Sequence, residues 1–118
     1  MDIDGEIVFI VLLYRPPGPM GRFIEGLVQS INQFISDIQI QRRYRTLIIG
    51  DFNWDQMLPE HVRTFDPICD HFHCHQRSKY STHIKGGILD LVFDDGKGTD
   101  VDWMFSPYSD HFILMIEL

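Results

Sequence analysis

The sequence predicts an α/β domain: a mixed β-sheet with helices on one face. Three observations carry this expectation. Two runs, "EIVFIVLLY" (Glu6–Tyr14) and "RTLIIGDF" (45–52), are apolar without alternation, the pattern of strands buried on both faces. Between them, apolar residues at Ile24, Leu27, Val28, Ile31, Phe34, Ile35 and Ile38 recur at helical spacing. Further on, strand-like segments follow one another with only turns between them. A strand, a helix and a strand make one right-handed crossover unit with parallel strands, whereas strands in direct succession pair antiparallel.

In chain order, the first strand stops at "RPPGPMG", where three prolines and two glycines break regular structure. The helix is expected over 22–42, its single apolar stripe facing the core. "QRRYR" then places Arg42, Arg43 and Arg45 where bases complement a helix C-terminus. After the second strand, "LPEHVRTFDPICDH" reads as a shorter helix interrupted at Pro67, because the residue before proline disfavours helical backbone. "FHCHQR" reads as a short strand and "SKYSTHIKGG" as a loop. "ILDLVFDD" is a strand, "GKG" a turn, "TDVDWMF" a strand, "SPYSDH" a loop and "FILMIEL" the last strand. A sheet with helices on only one face leaves the other apolar face in need of cover, and no segment obviously supplies it.

The 118 residues amount to one domain, 1–118, and 44% hydrophobic content is enough for a core. The longest apolar run, 7–13, is far shorter than the ~18 residues of a membrane helix, so no membrane association is expected. The acidic start "MDIDGE" lacks the basic region of a secretory signal. The expectation is a soluble intracellular protein, nuclear or cytoplasmic. A net charge of −7 argues against non-specific attraction to nucleic acid. A phosphate site remains open to such a chain, because a bound cation inverts the local sign.

"CDHFHCHQ" holds Cys69, His71, His73, Cys74 and His75. A disulfide is not expected in a reducing compartment. Zinc fingers separate their ligand pairs with a long spacer, and this crowded string lacks one. A zinc-binding module is carried as the weaker alternative.

Polar residues at strand ends suggest a site. Tyr14 ends the first strand, and Asp51 with Asn53 ends the second. Asp90 interrupts an apolar strand, where a carboxylate is costly to bury without a partner. Asp110 and His111 precede the last strand. A buried aspartate commonly orients and charges a histidine, so Asp90 and His111 are a natural pair. Asp51 and Asn53 would share a side in extended backbone, where they can position water and stabilise a phosphoryl oxygen. Oxygen donors without cysteine favour Mg²⁺ or Mn²⁺.

"LLYRPP", "LIIGDFNWD", "GGILDLVF" and "SDHFILMIEL" resemble, in order, the later motifs of the endonuclease/exonuclease/phosphatase superfamily. The nearest variety is the apurinic-type endonuclease domain of non-LTR retrotransposon polyproteins. The resemblance spans about 8–118. It implies a Mg²⁺- or Mn²⁺-dependent hydrolase that cleaves DNA phosphodiesters with an activated water; RNA, phospholipids and inositol phosphates are also superfamily substrates. In this likeness Asp51 handles the nucleophile, Asn53 stabilises the transition state, and His111 faces the phosphate with Asp90 as its orienter. Tyr14 touches the phosphate, Asp110 lies near the metal, and Thr82 lines the DNA groove. The family's domain is about twice as long, a four-layered α/β sandwich whose first half carries an asparagine and a metal-binding glutamate. Glu6 stands too close to Tyr14 to be that glutamate. The resemblance therefore implies the C-terminal half of such a domain, with metal binding weak or absent in this chain alone. It also implies an N-terminal half as partner, and the uncovered sheet face expects either that half or self-association. A non-catalytic remnant or interaction module of the same fold is the alternative.

Overall fold

The computed structural model describes residues 2–3, 6–39, 44–78, 82–83, 86–95, 100–104, 109–111 and 113–117. Its strands are β1 (Asp2–Ile3), β2 (Glu6–Tyr14), β3 (Tyr44–Asp51), β4 (His75–Gln76), β5 (Asp90–Asp94), β6 (Asp100–Met104) and β7 (Ile113–Glu117). The helices are α1 (Phe23–Ile38) and α2 (Asp66–Phe72), with one 3₁₀ turn at Pro59–His61. Five strands form one sheet in the order β1-β2-β3-β5-β4, and β6 pairs with β7 in a second sheet. β2 and β3 are parallel along their length, while β3–β5, β4–β5 and β1–β2 are antiparallel. This is the expected mixed α/β sheet: the parallel pair flanks the crossover helix, and the antiparallel pairs of β5 follow it.

Strand alternation sorts the side chains into two faces. Phe9, Val11 and Leu13 of β2, Ile48 of β3, and Leu91 and Phe93 of β5 pack with residues of both helices. Phe52 stands at the centre, in edge-to-face contact with Phe23, Phe65 and Phe93 at ring distances of 5.1–6.2 Å. That geometry suits the aromatic quadrupole and adds to the simple burial of area. The opposite face carries Val8, Leu47 and Val92, all buried, with Ile49 beside them. This corrects the expectation of a bare second face: its centre is covered, while among the described residues of β2 Ile10, Leu12 and Tyr14 on that face are exposed.

The elements differ from the sequence reading in instructive places. α1 ends at Ile38, where Gln39 takes a left-handed conformation and stops the helix; its last turn holds no base. Arg45 belongs to β3 instead, and its guanidinium bonds Asp94 at 2.9 Å and Asp95 at 3.1 Å across the sheet. Arg42 and Arg43 lie outside the described residues. Pro67 sits in the first turn of α2 rather than interrupting a longer helix. Its fixed φ and missing N–H suit that place, since first-turn N–H groups have no helical acceptor. The "FHCHQR" strand is reduced to His75–Gln76, because His73 is the left-handed cap of α2. Of the expected loops and turn, residues 79–81, 84–85, 96–98 and 106–108 lie outside the described residues, as do Thr99 and Phe105 of the expected strand.

Candidate active site

Register builds the site. Tyr14 of β2 stands opposite Asp51 of β3, and Asp51 stands opposite Asp90 of β5. In-register residues on neighbouring strands share a face. The three side chains therefore form a row across one end of the sheet, on the face opposite the helices. His111, two residues before β7, reaches over this row. Its Nδ1 donates to Asp90 Oδ2 at 2.5 Å, and its Nε2 lies 3.4 Å from Asp51 Oδ2. An ionised carboxylate only accepts, so the bond to Asp90 fixes the proton on Nδ1.

Each member of the row is held by the fold. The hydroxyl of Thr82, 1% exposed, accepts the backbone N–H groups of Leu89 and Asp90 at 2.9 and 3.0 Å. Thr82 thus positions the strand start that carries Asp90. The resemblance puts this residue on the DNA groove, but its oxygen is engaged inside the protein. Asp51 Oδ1 accepts the N–H of Asn53 at 3.0 Å, and Asn53 itself adopts φ 46°. That left-handed conformation is one asparagine tolerates well. The Asn53 amide donates to the Arg15 carbonyl at 2.6 Å, so one of its N–H groups already serves the loop. Tyr14 is largely exposed at the rim.

Arg15, which the sequence pattern does not single out, is the clamp behind this loop. It is buried, and its guanidinium donates to the carbonyls of Phe52, Asn53, Gly18 and Pro19. The same guanidinium lies 5.5 Å from the Trp54 ring and 5.8 Å from that of Phe23. Asp55 is a second unforeseen brace: its Oδ1 accepts the N–H of Met57 and of Ile88. A β-carbon on Gly87 would meet that carboxylate at 3.1 Å, which accounts for the glycine ahead of β5. For Arg15 the one signal in the sequence is the placing of a charge immediately after an apolar strand.

The electrostatics follow from the crowding of acids. Burial raises the Asp51 pKa and the Asp90 charge adds to this, against the Asn53 N–H and His111, which favour the carboxylate. Burial alone would lower the His111 pKa; the hydrogen bond and charge of Asp90, then Asp51 and Asp110, outweigh it and raise the value. Asp110 is mostly exposed, with one oxygen 3.9 Å from His111 Nε2 and the other 3.2 Å from His83 Nε2. His83, also unforeseen, forms an isolated antiparallel bridge with His111.

Two groups of side chains bring possible metal-ligand atoms within 4.8 Å of one another: Asp51 with Asp90 and His111, and His83 with Asp110 and His111. The carboxylates of Asp51 and Asp90 beside His111 fit an ion that takes one or two carboxylates and completes its shell with water and phosphate oxygens, as Mg²⁺ does; Asp110, expected near the metal, groups instead with His83 and His111. Among the described residues, Cys69, His71, His73, Cys74 and His75 form no such group. Cys74 is buried with its thiol directed at the Ile68 carbonyl, and both cysteines are free. His71 meets the side chain of Asn32. Compared with known protein families, curated protein sequences and solved structures, the chain finds no match.

Proposed function

We propose that the chain carries the phosphate-facing half of a metal-dependent phosphodiesterase of the endonuclease/exonuclease/phosphatase type, with DNA as the substrate class. The observation that supports this best is the double contact of His111. One nitrogen is bonded to Asp90, and the other is directed at Asp51 above an open sheet end. A histidine so held presents Nε2, and its raised pKa keeps that nitrogen protonated further toward neutral pH. It can then donate to a phosphoryl oxygen or a leaving group. Asp51, with its pKa shifted up, is suited to accept a proton from the attacking water. The amide of Asn53 and the hydroxyl of Tyr14 are at hand on the same rim to orient the phosphate. Mg²⁺ or Mn²⁺ held at the Asp51 and Asp90 carboxylates would supply charge neutralisation for phosphate oxygens, which three nearby carboxylates otherwise repel.

An NMR titration with a short DNA oligonucleotide tests the reading directly, since it requires no turnover. With Mg²⁺ present, the signals of the His111 ring and the Asn53 and Tyr14 side chains are expected to shift together. His111→Ala is expected to weaken binding. The absence of any shift with the oligonucleotide, at millimolar Mg²⁺ or Mn²⁺, would overturn the proposal in favour of a non-catalytic interaction module. Because the resemblance places a metal-binding glutamate in another segment, plasmid nicking by this chain alone is expected to be slow. Losing one transition-state contact costs about 10²–10³ in rate.

A further inference from the structure

We propose that His83, Asp110 and His111 form a site for a zinc-class transition-metal ion, next to the carboxylates proposed to hold Mg²⁺ and sharing His111 with them. Their ligand atoms lie within 4.8 Å of one another. Two individual separations are narrower: Asp110 Oδ2 is 3.2 Å from His83 Nε2, and Asp110 Oδ1 is 3.9 Å from His111 Nε2. A tetrahedral zinc with bonds of about 2.0–2.1 Å holds its ligand atoms about 3.4 Å apart. The side chains are thus spaced to close on such an ion by small rotations. Two imidazoles and one carboxylate suit zinc and its neighbours in the first transition row better than Mg²⁺, which prefers oxygen.

A second feature points the same way. His111 is bonded through Nδ1 to Asp90, leaving Nε2 as the ligating nitrogen. A ligating histidine characteristically donates its other N–H to a carboxylate, which fixes its tautomer and ring orientation. The backbone does its part: His83 and His111 are bridge partners on adjacent extended segments, and their rings meet at 5.0 Å. The side chains of His83 and His111 are 14% and 28% exposed, while Asp110, at 62%, leaves an approach from solvent. Three protein ligands leave a fourth position for water, with Asp51 Oδ2 3.4 Å from His111 Nε2 beside it. Metal at this site occupies the same nitrogen that phosphate chemistry would use.

The test is calorimetric titration of the whole, chelator-stripped chain with Zn²⁺, with Co²⁺ absorption as a second readout. Zn²⁺ is expected to bind one per chain, and Co²⁺ to show the intense visible bands of four-coordination. His83→Asn and His111→Asn should each weaken Zn²⁺ binding at least ~10-fold, whereas His83→Cys, which keeps a ligand, should largely preserve it. Circular dichroism of each variant verifies that the fold is kept. Cys69→Ser should change nothing. No binding, binding indifferent to His83→Asn in a folded variant, or binding abolished by Cys69→Ser would each overturn the proposal. None of these outcomes depends on phosphodiesterase activity.

Discussion

At the scale of single residues, the pair Asp90–His111 was legible in the sequence and Thr82 was not. An acid inside an apolar strand demands a partner, and a histidine before the next buried strand is a ready one. A threonine in a loop offers no such imbalance; only loop closure shows its oxygen accepting two backbone N–H groups. Both can be tested. The His111 pKa should lie above the usual ~6.5 in the metal-free chain and fall toward it in Asp90→Asn, as read by NMR titration. Because the folded value is raised, the stabilisation from this histidine is full below ~6.5 and is lost as pH rises through the folded value. Asp90→Asn should therefore flatten the stability–pH curve in that window. Thr82→Val keeps the shape but orphans two N–H donors, and should lower unfolding stability by about 1–3 kcal/mol in urea.

At the scale of elements, periodicity located β2 with both its ends, and located α1, β3 and β5 but not where these three stop. Ends depend on interactions that pattern does not encode, such as the left-handed caps at Gln39 and His73. They also depend on the Arg15 clamp that fixes the chain leaving β3. Gly50 falls inside the strand that the sequence marks, but the pattern does not say why a glycine stands there: its absent side chain permits the β2–β3 pairing. A β-carbon there would lie 1.9 Å from the Leu13 carbonyl oxygen. Gly50→Ala should force the parallel strands apart beside Tyr14 and Asp51 and destabilise the chain by about 3 kcal/mol or more. Gly26 makes the contrast, being a helical glycine where an added β-carbon would meet nothing within 4 Å. Gly26→Ala should raise stability by about 0.5–1 kcal/mol. Opposite signs from one chemical change, in the same denaturation assay, separate backbone approach from backbone entropy.

At the scale of the whole molecule, the unalternating strands announced that both sheet faces want cover, but not how far this chain provides it. The structure divides the question within β2 itself. Val8, near its start, is buried, whereas Ile10 and Leu12 on the same face are exposed, the latter at 75%. The strand's outer edge is similarly divided, because β1 pairs only with Glu6 and Ile7. From Phe9 to Tyr14, no strand among the described residues pairs on that side. An open edge beside exposed aliphatic side chains is a template for another strand. Each large side chain left wet forgoes roughly 1.5–3 kcal/mol of burial, a sizeable part of a domain's ~5–15 kcal/mol margin. The expected outcome is association through this edge, with a second copy or with the other half of the proposed domain. Sedimentation velocity at micromolar concentration should show a concentration-dependent dimer or larger species. Leu12→Lys, which places a charge on the exposed part of the edge strand, should shift the equilibrium to monomer without unfolding the chain. A wild-type chain that sediments as a single stable monomer up to ~100 μM, well above the ~1 μM Kd typical of weak specific complexes, would show that the edge needs no partner.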